Sequence, residues 1–127
     1  MSSQEMREWV AKAETDYKAA TALARHRKDP LPEAVCFHCQ QSAEKYLKAF
    51  LISHGRPFPK THDLIALKKL CAEKDGDFER IHDLLESLGG YDVAIRYPGE
   101  TATVEDARDA LAAVKEMRRF VRGRLGV

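Results

Sequence analysis

Two cysteines three residues apart with a histidine between them, Cys36-Phe37-His38-Cys39, have the residue types of a thiolate metal site or a redox pair. A redox C-x-x-C pair needs a helix N-terminus, whose dipole lowers the thiol pKa. Tetrahedral zinc needs four ligands, and the further donors Cys71, His62 and His82 offer no second close spacing. Here the pair sits inside a helical pattern, on a face that continues through Ala43, Leu47 and Phe50. Both thiols therefore read as small core side chains, and no metal or other cofactor is expected. His38 points off that face, toward surface or interface.

The polar residues that follow are harder to read as core. Phe37, Gln41, Glu44 and Lys48 recur at helical steps and form a second stripe, polar except for its first member. It is either a solvated face with a local Glu–Lys pair or a dimer interface, since an aromatic flanked by glutamines is unusual on a merely wet face. In Lys60-Thr61-His62-Asp63-Leu64, Thr61 or Asp63 can cap a helix while His62 lies exposed in its first turn. A histidine beside a helix N-terminus can also hold or act on phosphate. Arg96 and Tyr97, before Pro98, could plug the end of a bundle or hold a nucleotide by guanidinium and aromatic face. Arg108, Lys115, Arg119 and Arg122 share a late stripe, most simply a solvated face and otherwise a track for a nucleic-acid backbone.

The elements that must position these groups are helices. The first places Met6, Trp9, Val10, Ala13, Tyr17, Ala20, Leu23 and Ala24 on one stripe and ends in the cations 25–28, before Asp29-Pro30-Leu31-Pro32. Pro32 suits the first position of a second helix running to about Ser53. Gly55, Pro57 and Pro59 force a loop. A third helix begins near 61–63, buries Leu64, Leu67, Leu70 and Cys71, and stops at Gly76. Asp77 can cap a fourth with Ile81, Leu84, Leu85 and Leu88 inward, closed by Gly89-Gly90. Thr103 and Asp106 resemble a capping box for the last helix, whose inner stripe is Val104, Ala107, Leu111, Val114, Met117, Val121 and Leu125. Short loops between amphipathic helices predict an all-α fold, an up-and-down antiparallel bundle of four to five helices. Alternating direction then puts the loop after the second helix beside the loop after the fourth. That gathers His62, Asp63, Arg96 and Tyr97 at one end, with Lys45 and Lys48 alongside, as a ligand-binding candidate.

The whole chain sets bounds on these readings. Its 127 residues suit one domain over 1–127. Acids and bases nearly cancel to a net charge of +1, so non-specific binding to nucleic acid or an anionic membrane has no support in bulk charge. No apolar run suits a membrane span, the N-terminus lacks signal-peptide character, and three cysteines point to free thiols in a reducing cytoplasm.

Three segments in order, "FHCQQSAEKYLKAFLISHG", "PKTHDL" and "AIRYP", resemble the HEPN domain family, and the likeness covers essentially the whole chain. The resemblance implies a helical bundle, usually a homodimer, with a nucleotide- or RNA-related role. It also implies a small nucleotidyltransferase as partner, often in a two-gene toxin–antitoxin module. Ribonuclease members carry an Arg and a His four to six residues apart in the later part of the domain. Here the last helix holds no histidine, and Arg56 and His62, with five residues between them, lie in the loop after the second helix. The leading reading is a non-catalytic or weakly active partner protein that dimerises through Phe37, Gln41, Glu44 and Lys48. Its binding residues would be Lys45, Lys48, Asp63, Arg96 and Tyr97. The alternatives are a metal-independent ribonuclease using His62 with Arg56 or Arg96, and a structural helical adaptor.

Overall fold

Pro32 opens the second helix, as its missing N–H allows, and this helix becomes the axis of the molecule. The computed structural model describes residues 3–92, 97–99 and 101–127. Five α-helices carry it: α1 (Ser3–Ala24), α2 (Pro32–Ser53), α3 (Leu64–Lys74), α4 (His82–Leu88) and α5 (Val104–Leu125). They form an all-α, up-and-down bundle, with no strand among the described residues. α2 packs against α1, α3, α4 and α5, and 13 of its 22 residues are buried, so even its polar positions must find partners inside the protein. Close approach of α1 and α2 follows from small residues. Ala13, Ala20 and Ala43 are fully buried, and the Ser42 hydroxyl donates to the Ala13 carbonyl at 2.9 Å.

The helix ends follow local chemistry. Asp63 caps α3, its Oδ1 accepting from the amides of Ile65 and Ala66, both at 3.0 Å. Thr103 and Asp106 form the reciprocal capping box of α5, at 3.0 and 2.9 Å. Gly126 closes α5 in the left-handed region at φ 75°.

Three local expectations change. Asp75, not Asp77, supplies the cap before the fourth helix, accepting from the Asp77 amide at 3.0 Å. It opens a 3-10 segment, Gly76–Ile81, that precedes α4. The tighter winding accompanies Phe78, which is fully buried against Phe50 and Phe120 with ring centroids 4.3 and 5.1 Å away. Val104, at the first position of α5, is 48 % exposed rather than part of the inner stripe. Tyr97 is 78 % exposed and does not plug the bundle end.

Cys36, Cys39 and Cys71 are all buried and none is in a disulfide. Burial pushes the Cys39 and Cys71 thiols up to about 12, Cys39 with a further push from neighbouring Cys36. Native protein at pH 8 is therefore expected to leave Cys39 and Cys71 unmodified by an aromatic disulfide reagent, whereas unfolded protein releases three equivalents of chromophore. Rapid native labelling of either cysteine would contradict this core assignment.

Candidate functional site

Glu44 decides the layout of the bundle end. It lies one turn from Gln40 and one turn from Lys48 on α2, and its carboxylate is buried. One oxygen, Oε2, accepts from Lys48 Nζ at 2.9 Å; the other, Oε1, meets His62 Nδ1 at 2.8 Å. Lys48 Nζ also lies 5.7 Å from the ring centroids of both Trp9 and Phe58. Gln40, fully buried, donates to the His62 carbonyl at 3.0 Å and accepts from Gln41 at 2.8 Å. These contacts fasten the segment from Phe58 to His62 onto α1 and α2. The His62 side chain remains 61 % exposed, with Nδ1 engaged by a buried carboxylate.

The loop after α2 and the end of α4 meet, as alternating helix direction requires. His62 and Asp63 line one side of an open groove of about 330 Å³, and Glu86, Gly89, Gly90 and Asp92 line the other. Its described lining is acidic. The Asp63 carboxylate already occupies the first amides of α3, the donors an external anion would use. Glu86 and Asp92 add two more acids to the lining.

The described cations expected here each pair with a carboxylate of the chain. Lys45 pairs with Asp16 of α1 at 2.5 Å, and His38 Nδ1 shares that carboxylate at 2.8 Å. Lys48 is buried on Glu44. Arg56 Nε donates to Glu73 at 3.0 Å, and its Nη1 donates to the Pro57 carbonyl at 2.7 Å. The Arg56 hydrogen bond holds the Glu73 carboxyl below its usual range. Arg56 and His62 thus face different carboxylates on different helices. Arg96 lies outside the described residues, so its place beside Tyr97 and His62 does too.

The stripe expected at a dimer interface divides. Glu44 and Lys48 turn into the protomer, where α1 and the Phe58–His62 segment cover them. Phe37 and Gln41 are partly exposed, and Phe37 stands edge-on to His38 at 5.3 Å.

The HEPN domain pattern matches residues 6–124, nearly the whole chain. The chain belongs to the HEPN domain family. Two solved structures have the same fold. One is a protein from Thermus thermophilus, with TM-score 0.73 and 23 % identity, over 93 % of this chain and 96 % of that one. The other is described as an archaeal HEPN homologue, with TM-score 0.67 and 22 % identity, over 94 % of this chain and 96 % of that one. No curated protein matches the chain by sequence. No described helix is long and apolar enough to cross a membrane.

This HEPN domain also holds a charged cluster that the sequence reading passed over. Arg118 of α5 forms a fork on Glu14 of α1, Nε to Oε2 at 2.6 Å and Nη2 to Oε1 at 2.8 Å. The buried Tyr46 hydroxyl donates to the same carboxylate and accepts from Arg122 Nη1 at 3.1 Å. Arg118 also lies 4.5 Å from the Tyr17 ring centroid. The Arg118 hydrogen bond is the main cause that lowers the Glu14 carboxyl to about 2, and burial raises Tyr46 to about 12. A signal was present, because Glu14 falls on the face of Val10, Ala13 and Tyr17, and Arg118 on that of Val114 and Val121. A charged residue on an apolar face of each of two helices is a candidate cross-helix pair. Arg122 consequently belongs to this cluster and not to a basic track.

Proposed function

We propose that this HEPN-domain protein is a non-catalytic binding module, homodimeric and paired with a nucleotidyltransferase in a two-gene, toxin–antitoxin type of arrangement. The observation that carries the reading is the separate commitment of Arg56 to Glu73 and His62 to Glu44. Metal-free RNA cleavage needs a proton-moving group and a guanidinium free to meet one phosphate. The pairing of Lys45 and Lys48 with carboxylates likewise favours a protein partner over direct phosphate binding. Phe37 and Gln41, the exposed half of the stripe on α2, are the residues this reading assigns to the dimer contact.

A second reading has one observation in its favour. His62 is exposed while Nδ1 is oriented by a buried carboxylate, as in a histidine that moves protons at Nε2. Its guanidinium would be Arg96, with Tyr97 beside it in sequence.

Incubating the protein with a mixed-sequence RNA in chelator decides between the two. The binding-module reading expects no cleavage above background by wild type, His62→Ala, Arg56→Ala or Arg96→Ala. Chelator-resistant cleavage that disappears in His62→Ala would overturn it. The same reading expects co-purification with the nucleotidyltransferase and a dimer in light scattering that Phe37→Asp shifts toward monomer.

A further inference from the structure

The α1–α2 connection carries an apolar track that neither the bundle-end groove nor the Glu14 cluster uses. Leu31 stands between Pro30 and Pro32, whose rings fix the backbone on both sides, and it is 45 % exposed. Across from it Val104 is 48 % exposed at the start of α5. Between them lies an open groove of about 560 Å³, floored by Val35 and Leu111 among other apolar side chains. A second depression of about 510 Å³ shares Pro30, Leu31 and Pro32 with it and runs on past Phe37. Leu31 and Val104 are two of only four large hydrophobic side chains exposed among the described residues, and both border this one groove. That is the concentration expected of an interaction site rather than of scattered surface residues.

The polar residues of the larger groove are all of one kind. His26, Arg27 and Arg108 line it, and no carboxylate among the described residues does. Neither arginine pairs with a carboxylate among the described residues, so both guanidinium groups are open to an acidic ligand. Guanidinium groups beside an apolar trough complement an apolar segment flanked by carboxylates.

We infer that the groove between the α1–α2 connection and the start of α5 docks an amphipathic, acidic helical segment of a partner protein. Its apolar face would lie on Leu31, Val35, Val104 and Leu111, with its Asp or Glu side chains on Arg27 and Arg108. The inference rests on the reading of the chain as a partner-binding module and names the surface and the chemistry that such a partner would use.

Two labelled peptides of about 14 residues, roughly four helical turns, test it. They share one leucine face and differ only in carrying Glu or Lys on the other. The Glu peptide is expected to bind in fluorescence anisotropy, with the Lys peptide at least about tenfold weaker. Methyl NMR shifts should concentrate at Leu31, Val35, Val104 and Leu111. The exposed double variant Arg27→Glu, Arg108→Glu should keep its helical circular dichroism and lose about tenfold in affinity for the Glu peptide. Equal binding of both peptides, binding of neither, shifts away from the groove, or an unaffected double variant each overturn the inference. So does dodecanoate binding in the groove when the Glu peptide does not bind, which would make the site one for a lipid carboxylate. Shifts at these methyls on dilution alone would reassign the groove to a second copy of the chain. The ribonuclease assay does not involve Arg27 or Arg108, so failure of the groove and failure of the binding-module reading are separately visible.

Discussion

Replacing Glu44 by Ala should destabilise the protein by about 3 kcal/mol. The carboxylate compensates the buried Lys48 ammonium and fastens His62, and both partners lose it together. Removing one member of a buried pair leaves an uncompensated charge and typically costs about 3–5 kcal/mol. Trp9 and Phe58 face that ammonium and can return part of the loss, which sets the expectation at the low end. Equilibrium urea unfolding would measure it. Glu44→Leu combined with Lys48→Met, which removes both charges and keeps the volume, should recover most of the loss. Amide exchange gives an independent reading, because the single variant should release the segment that His62 anchors while leaving α5 protected. A loss below about 1 kcal/mol in Glu44→Ala, or a double variant no better than the single, would show that the pair does not hold this end of the bundle.

That network also shows what could and could not be read before the structure. Helical spacing alone located Glu44 and Lys48 on one stripe and His62 near a helix start, and alternation of helix direction brought the loop after α2 to the end of α4. It could not reveal which way the stripe faced. Phe37, Gln41, Glu44 and Lys48 form a band, polar after Phe37, at a period that suits an outer face equally well, and the inward turn depends on the Phe58–His62 segment folding back over α2. Such a contact is set by loop path, and Pro57 and Pro59 predict a loop without predicting its course. The core was more legible, since Ala43, Leu47, Phe50, Val114, Met117 and Val121 have no alternative to burial. Caps were legible where the side chain acts within three residues, as at Thr103 and Asp106. The cap expected at Asp77 falls instead on Asp75, two residues earlier, where burial of Phe78 accompanies a 3-10 turn.

The distribution of cations is the second place where pattern and structure part. Lys45, Lys48, Arg56 and Arg122 could each be drawn toward an imagined phosphate. Each instead has a carboxylate or phenol of the same chain within reach. Arg27 and Arg108, which pair with no carboxylate among the described residues, both sit on an apolar groove.

The Glu14 cluster yields the sharpest expectation for pH. Arg118, first among the causes, and the Tyr46 hydroxyl hold the Glu14 carboxyl down from 4.5 to about 2 in the folded protein. A carboxyl whose folded pKa is depressed adds stability that is complete above the unfolded value and disappears as pH falls through the folded one. Glu14 should therefore add a constant amount from neutrality down to about pH 5, and that amount should drain away between 4.5 and about 2. Fully shielded, a shift of this size corresponds to roughly 3 kcal/mol. Glu14 and Arg118 keep 20 % and 27 % of their side chains in solvent, so screening brings the expectation to about 1–2 kcal/mol. Urea unfolding of wild type and Glu14→Gln at intervals from pH 7 to pH 2.5 isolates this contribution. Carboxylates such as Glu73 and Glu79, which their own partners also hold low, titrate in both proteins and cancel in the difference. The gap between the two curves should stay level above pH 5 and narrow steadily below 4.5. In an Arg118→Met background the same gap should be smaller above pH 5 and change less below 4.5, since the main cause of the depression is gone. A gap that is constant to pH 2.5, or that opens as the pH falls, would mean that the fork between α1 and α5 does not hold Glu14 ionised in solution.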